Sequence, residues 1–458
     1  MFAIPGIAAL IVFILARPQE FIPLLQRVPF LHLFTAFAVL GFVIDVRLRR
    51  LEPVATPTLP WAGAFLIWAV ICTAVKAPDQ LITRTIEMAI LFALYGTIAH
   101  AVQRFRAFQV IAGVLVATSM FISAVCVHQG LSPMQCVGGA ESEAGIEGAP
   151  DGRPCAEAKE CASEGEFGLD YRCEHVGLFG SFSVENRVRY IGDLHDPNEV
   201  ALTITALGLS LLIAFALRKH GPGWKLVAAA GVTLVAVTIQ MTQSRGGLAA
   251  ALIVPAVYLV RRHGFGALVP AILVAIPVLM LASRGGENAD VSTLNRYEAW
   301  ATGLNMFQDS PIFGVGARMF SAHHFLTAHN SFVLTLAELG LIGQFLFITI
   351  VYLSIKALVV GIREVSTVPG TAAAQVWGMA LLATMVGVAF QINTLSFSYH
   401  PVLWICFGLV GAWCSAVRYH RPEFRVTMTG RDILIALVIA LVYSFVALPL
   451  FLSAKGFM

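Results

Sequence analysis

The residues with the clearest chemical potential lie in a few short polar stretches between long apolar runs. The first stretch, Ser244-Arg245-Gly246-Gly247, joins two such runs through a very tight turn. A guanidinium group binds a phosphate through two parallel hydrogen bonds, and neighbouring glycines let a ligand or backbone approach closely. Arg245 therefore indicates a phosphate-binding turn. The alternative is an arginine that only reaches towards water from a helix end.

Arg296 belongs to the second stretch. The sequence predicts a helix over 293–308, which the proline and glycines of segment 311–316 would end. Arg296 would then lie in the first turn of this helix. An amphipathic helix at the membrane surface, with an exposed arginine, explains the same pattern and is the better interpretation of this stretch alone.

The third stretch is His329-Asn330, directly before an apolar run. Histidine is the side chain best suited to remove a hydroxyl proton near neutral pH, so His329 is a candidate general base. A helix-capping or merely solvated histidine is the alternative. Glu338 follows nine residues later, on roughly the opposite side of the helix, and is interpreted as a buried carboxylate of a structural network.

A fourth stretch, His195-Asp196-Pro197-Asn198-Glu199, stands where a polar segment returns to apolar sequence. Asp196 fits the N-cap of a helix with Pro197 at its first position. Asn198 and Glu199 would then lie in the first turn, at the membrane surface. Capping alone accounts for Asp196, although the stretch can also support a neighbouring site.

The composition defines the elements that must position these residues. Of 458 residues, 58% are hydrophobic and 12% are charged, whereas soluble domains have about 45–50% and about 25%. These values exclude a soluble enzyme and a disordered chain. Thirteen apolar runs are long enough to suggest membrane helices, which need about 20 residues each. The runs are 2–16, 29–46, 59–75, 81–101, 107–128, 198–217, 224–242, 244–260, 266–282, 329–360, 372–392, 399–417 and 432–453. The predicted fold is all-α, a polytopic bundle of 12–13 transmembrane helices.

Basic residues predict the orientation of this bundle, because short cytoplasmic loops are enriched in lysine and arginine. One set of alternate loops is rich in lysine and arginine, and the short loops of the other set contain almost none. The first set is therefore predicted to be cytoplasmic. The two long segments 129–197 and 283–328 belong to the second set and fall together on the outer face. The basic set comprises Arg47, Arg49, Arg50, Arg104, Arg106, Arg218, Lys219, Lys225, Arg261, Arg262, Lys356, Arg363, Arg418, Arg421, Arg425 and Arg431. The predicted organisation is helices over 1–128, an acidic outer loop over 129–197, helices over 198–282, an outer loop with short helices over 283–328, and helices over 329–458.

Four of the eight cysteines lie in the acidic outer loop: Cys136, Cys155, Cys161 and Cys173. An even number of cysteines in an oxidising compartment predicts two disulfides, with three connectivities open. A zinc site is the alternative, but these spacings match no common zinc pattern. The sequence therefore predicts no metal site, and it contains no nucleic-acid-binding motif.

Together these stretches resemble the signature of the O-antigen ligase and O-antigen polymerase superfamily. Three motifs carry the resemblance, in this order: Ser244-Arg245-Gly246-Gly247; Arg296 and Trp300 followed by Pro311-Ile312-Phe313-Gly314-Val315-Gly316; and His329-Asn330 followed by Gly340 and Gly343. The matching region covers about 196–345. The cysteine-bearing loop is not part of the pattern.

The resemblance implies a metal-independent, cofactor-free glycosyltransferase of the bacterial inner membrane, with its active site facing the periplasm. Its donor would be a glycan on a polyprenyl (undecaprenyl) diphosphate carrier, bound by Arg245 and Arg296, and its catalytic residue would be His329. Transfer would invert the anomeric centre. The resemblance leaves the acceptor open between lipid A-core, another carrier-linked glycan and protein, and we favour the ligase acting on lipid A-core. A transporter or flippase is the competing class.

Overall fold

The computed structural model describes residues 1–138, 141–142, 145–146, 148–162, 171–218, 221–281 and 287–457. The protein is a bundle of α-helices, which confirms the predicted fold class, and each of the thirteen apolar runs is helical. The helices are α1 (Ala3–Leu15), α2 (Pro18–Phe21), α3 (Phe30–Arg47), α4 (Leu59–Lys76), α5 (Leu81–Ala101), α6 (Phe105–Leu131), α7 (Ala158–Ala162), α8 (Pro197–Thr203), α9 (Ser210–Arg218), α10 (Pro222–Thr242), α11 (Arg245–His263), α12 (Leu268–Leu281), α13 (Glu287–Asp309), α14 (Ser331–Ser366), α15 (Ala372–Gln391), α16 (Pro401–His420), α17 (Gly430–Val442) and α18 (Leu448–Ala454).

Within the described residues, 10 helices are long and apolar enough to cross a membrane. Short π-helical segments join α8 to α9 and α17 to α18, so each of these pairs counts as one crossing. The remaining three apolar runs form α1, α11 and α12. Of these, α1 and α12 are shorter, and α11 carries three arginines.

The short helix α1 nevertheless connects both ends of the bundle. At its start, the backbone N–H groups of Phe2 and Ala3 donate to Asp45, near the end of α3. Beyond its other end, Arg17 forms an ion pair of 2.6 Å with Asp193. A helix of 13 residues is about 20 Å long, and the flanking residues extend its reach. The first apolar run therefore traverses the protein interior rather than lying along a surface.

The glycines of two motifs meet at a kink in α14. Gly340 has a left-handed φ of 65°, which breaks the regular hydrogen bonding of the helix. The backbone of segment 311–316 replaces those bonds: Leu341 N–H donates to Pro311 O at 2.9 Å and Val315 N–H donates to Ala337 O at 3.0 Å. A Cβ on Gly340 would lie 2.2 Å from Ile312 O, so a larger residue does not fit. The kink explains why the apolar run over 329–360 is so long.

The loop 129–197 contains a small antiparallel sheet that the sequence did not predict. Its strands are β1 (Met134–Gly138), β2 (Glu141–Ser142), β3 (Gly145–Ile146), β4 (Ala149–Pro154) and β5 (Tyr171–His175), arranged in the order β4-β1-β5 with β2-β3 as a separate pair. Disulfides join Cys136 to Cys161 and Cys155 to Cys173. The prediction of two disulfides is confirmed, and with these sulfurs bonded the zinc alternative loses its thiolate ligands.

Candidate active site

Four of the predicted site residues line one cavity of about 280 Å³ at an end of the bundle. We call it the site cavity, and we call this end of the bundle the site face. Ligand pockets commonly measure about 300–1,000 Å³, so the site cavity lies just below that range. Its lining residues are Glu185, Arg187, Asp196, Asn198, Val291, Ser292, Asn295, Arg296, Leu326 and His329.

His329 is held in an unusual backbone conformation at the start of α14. Its φ of 43° lies in the left-handed region, which costs a residue with a side chain of the order of 1–3 kcal/mol. The next residue, Asn330, compensates as the N-cap, because its side-chain oxygen accepts from Phe332 N–H at 2.9 Å and from Val333 N–H at 3.2 Å. Among the described residues, no side chain or backbone group forms a hydrogen bond with the His329 ring, so its nitrogens remain available for a ligand.

The segment 392–398 fixes the same corner from the other side. Ser331 N–H donates to Ile392 O at 2.8 Å, and its hydroxyl donates to Leu395 O at 2.6 Å. That hydroxyl also accepts from Phe397 N–H at 2.8 Å. The backbone on the C-terminal side of His329 is thereby anchored by a loop more than 60 residues away in sequence.

Replacement of Asn330 by alanine is expected to lower both stability and activity. Loss of an N-cap costs about 1 kcal/mol of the free energy of unfolding, and His329 would lose the turn that fixes its position. Asn330→Ser retains an oxygen that can cap the helix, so its unfolding temperature and turnover number should stay close to those of the wild type. Equal behaviour of Asn330→Ala and wild type in both measurements would contradict the positioning role.

Arg296 reaches the site cavity from α13, which includes the predicted helix over 293–308. Trp300, one turn further along this helix, donates its indole N–H to Ala328 O at 2.7 Å. This hydrogen bond ties α13 to the residue directly before His329. The spacing of four residues places Arg296 and Trp300 on one face of the helix, so the bond that docks the helix also brings Arg296 to the cavity.

Asp196 and Asn198 form the opposite wall, at the start of α8. The prediction that Asp196 is an N-cap is confirmed: its side chain accepts from Asn198 N–H at 2.6 Å, and Pro197 is the first helical residue. The Asp196 carboxylate also accepts from the Asn198 side chain at 2.8 Å. The carboxylate thus belongs at once to a helix cap and to the cavity lining.

The charges in the site cavity bias His329 towards the neutral form. Burial and the positive Arg296 together lower the pKa of His329 to about 4, against the opposing influence of Asp196. Burial acts to raise the pKa of Asp196, but the net direction is downward, because His329 when protonated, the positive Arg187 and the Asn198 N–H each stabilise its charged form. Arg187 and the Asn198 N–H do so also when His329 is neutral. Near neutral pH the cavity therefore holds an unprotonated imidazole beside an ionised carboxylate.

Arg245 does not line the site cavity among the described residues, although the resemblance implies that it binds the donor together with Arg296. It is the first residue of α11 and is exposed, while Gly246 and Gly247 face the bundle. A Cβ on Gly247 would lie 2.2 Å from the Ala201 side chain, so α11 begins tightly against α8. Arg245 therefore begins the helix next to the wall of the cavity, and its phosphate-binding role stays a prediction.

Glu338 lies outside the cavity lining and serves a neighbouring turn. It is buried, and its two carboxylate oxygens accept from the backbone N–H groups of Arg318 and Phe320, each at 2.9 Å. These bonds agree with its interpretation as a network carboxylate. No contact of Glu338 with the site cavity is seen within the described ranges, and a direct role in the site stays untested.

Sequence reasoning missed Arg187 and Glu185, two further charged residues of the cavity lining. Arg187 donates to Thr242 O at 2.9 Å and to the side-chain oxygen of Asn198 at 3.3 Å, so it connects the turn before Arg245 to the start of α8. One signal could have revealed it. Arg187 stands in a predominantly acidic outer segment, just before the chain returns to the membrane.

Residues 229–348, about a quarter of the chain, match the family model of O-antigen ligases. The matched region contains all three motifs that carried the resemblance, and it includes Arg245, Arg296 and His329. It begins after Asp196 and Asn198. The match confirms the resemblance to the O-antigen ligase and polymerase superfamily, and the helices make the protein a multi-pass membrane protein. No curated protein matches the chain significantly.

Proposed function

We propose that the protein is a membrane glycosyltransferase that moves a glycan from a polyprenyl diphosphate carrier to an acceptor hydroxyl at the site face. The observation that carries the proposal is that a free imidazole, His329, and a cation, Arg296, line one cavity inside the region that matches O-antigen ligases. The site face would be periplasmic and the membrane the bacterial inner membrane, as the distribution of basic residues indicates.

The proposed reaction is a direct displacement at the anomeric carbon. His329 accepts the proton of the acceptor hydroxyl, whose oxygen forms a bond to the anomeric carbon as the bond to the diphosphate oxygen breaks. The electron pair leaves with the polyprenyl diphosphate, and the configuration at the anomeric carbon is inverted. His329 is unprotonated at neutral pH, and the negative charge of a bound donor would raise its pKa again, which makes it a stronger base for a weakly acidic hydroxyl.

Cations would stabilise the leaving group. Arg296 lies in the cavity, Arg187 is a further lining cation, and Arg245 begins the helix next to the wall. Positive groups fixed in advance stabilise charge that grows on a departing diphosphate, which is often the largest contribution to catalysis. Asp196 would keep the imidazole oriented and stabilise the imidazolium that forms on it.

The acceptor decides between three activities. We favour ligation to lipid A-core, and the alternatives are extension of a carrier-linked glycan and transfer to protein. The test uses the purified full chain with a polyprenyl diphosphate-linked glycan and each acceptor in turn. A glycosylated lipid core would establish the ligase, longer carrier-linked chains the polymerase, and glycosylated protein the third activity. Donor binding with no transfer to any acceptor would contradict the proposed function and favour a transporter.

The pH profile of transfer should reflect the lowered pKa of His329. We expect kcat/KM to remain flat from neutral pH through 6.5, the ordinary histidine value, and to reach half of its maximum near pH 4. Below that value the imidazole is protonated and cannot accept a proton. Because a negatively charged donor stabilises the imidazolium, the acid limb of kcat should lie at higher pH than that of kcat/KM. A limb of kcat/KM centred near pH 6.5 would contradict this assignment.

A further inference from the structure

A second and larger cavity, of about 550 Å³, lies at the opposite end of the bundle. It is formed by the residues before α4, the last turns of α16 and the connection between α16 and α17. The two ends of α16 show that this cavity is far from the site face. The N-cap of α16, His400, donates its Nε2–H to Asp193 O at 3.0 Å on the site face. Arg418, near the other end of α16, lines the cavity. We call this second space the basic-end cavity.

The charge of the basic-end cavity is entirely positive. Arg418 and Arg425 line it, and no aspartate or glutamate is among its lining residues. Neither arginine forms an ion pair or a side-chain hydrogen bond with any residue that the structure describes. Another arginine at this end, Arg421, does have a hydrogen-bond partner, because it donates to Glu364 O at 3.2 Å. Two guanidinium groups without anionic partners line one opening, so they match a phosphate group in charge, and each can donate two parallel hydrogen bonds to phosphate oxygens.

Much of the lining of the same cavity is apolar. Trp61, Val54 and Met428 line it together with the buried ring of Phe424. A small hydrophilic anion would leave these surfaces in contact with water, whereas a lipid would cover them with the upper part of its acyl chains. The volume lies within the range of ligand pockets. Its position at the ends of membrane helices would allow a lipid to enter from the neighbouring leaflet.

We propose that the basic-end cavity binds an anionic phospholipid, with the headgroup phosphate on Arg418 and Arg425 and the chains against Trp61 and its neighbours. This site is separate from the proposed transfer reaction and does not depend on it. Basic pockets between membrane helices on the cytoplasmic side are suited to such headgroups. The predicted orientation places this end of the bundle in the cytoplasm, where the basic loops lie.

The test measures binding of phosphatidylglycerol to the purified full chain by native mass spectrometry, with phosphatidylcholine for comparison. Wild type should retain phosphatidylglycerol preferentially. The double variant Arg418→Gln/Arg425→Gln should bind it about 30-fold more weakly, since each basic residue near an anionic lipid strengthens binding about fivefold. The matched control is Arg261→Gln/Arg262→Gln, which removes two exposed arginines from the same predicted face and should leave binding unchanged.

Three results would overturn the proposal. They are unchanged binding in the Arg418/Arg425 variant, an equal loss in the Arg261/Arg262 control, and equally effective occupancy of the site by inorganic phosphate, which would identify a free anion as the ligand. A second measurement needs no variant. A photoactivatable phosphatidylglycerol should cross-link the wild-type protein within segments 53–61 and 414–428, and labelling confined to other segments would equally overturn the site.

Discussion

Alanine in place of His329 is expected to lower glycan transfer by about 10²–10⁴-fold, the usual contribution of a general base. The imidazole forms no hydrogen bond with any described residue, so its removal breaks no structural contact of that kind. It also lies beside Arg296 without pairing with it, so binding of the carrier-linked donor should change little. The loss should therefore appear in kcat, measured with saturating acceptor, while the dissociation constant of the donor stays near that of the wild type.

The matched control for this experiment is His323→Ala. His323 is an exposed histidine in the same connection, six residues earlier, and it does not line the site cavity. Its replacement should leave both transfer and donor binding unchanged. If His329→Ala retained wild-type turnover, or if it lost transfer only through weaker donor binding, His329 would not be the base.

The positions of the membrane helices and of the helix caps could be predicted because both signals are local. A membrane helix needs a continuous apolar run, and all thirteen runs are helical. Asp196-Pro197 contains a complete cap signal in adjacent residues. The burial of Glu338 could be predicted because this residue stands inside an apolar run. In each case the information lies within about ten residues of sequence.

What the sequence did not show depends on contacts between distant segments. The sheet in the loop 129–197 pairs short strands that contain proline and glycine, and its two disulfides do not join the directly opposed Cys136 and Cys173. Arg187 enters the site cavity through a bond to a backbone carbonyl 55 residues away. Backbone carbonyls exist at every residue, so no side-chain pattern marks this partner.

Segment 311–316 and Gly340 show the same contrast between local sequence signals and contacts of distant segments. Sequence identified segment 311–316 and Gly340 as separate features, and the structure shows that the first supplies the hydrogen bonds that the kink at the second requires. The kink shapes the first part of α14, which begins two residues after His329, while the Trp300 bond to Ala328 O sets the position of α13. The site residues are thus brought together by backbone contacts, and the motif glycines make that close approach sterically feasible.

Replacement of Arg296 by glutamine is expected to weaken donor binding and to lower transfer by about 10²–10³-fold, the effect of losing one group that stabilises developing negative charge. Arg296→Lys should recover only part of this, because an ammonium group keeps the charge but lacks the planar pair of donors that fits a phosphate. The matched control is Arg27→Gln, an exposed arginine that the topology places on the same face, outside the site cavity. Wild-type donor affinity in Arg296→Gln would contradict the diphosphate-binding role.

A second readout separates this electrostatic role from damage to the fold. Arg296 lowers the pKa of His329, so a variant that removes its charge must raise that pKa. The acid limb of kcat/KM, expected near pH 4 in the wild type, should therefore move to higher pH in Arg296→Gln and stay in place in Arg296→Lys. A misfolded site would lower the maximal kcat/KM in both variants but would not move the acid limb in Arg296→Gln alone. If the acid limb of Arg296→Gln did not move while its rate fell, Arg296 would act on the donor without changing the pKa of His329, which would contradict this electrostatic coupling.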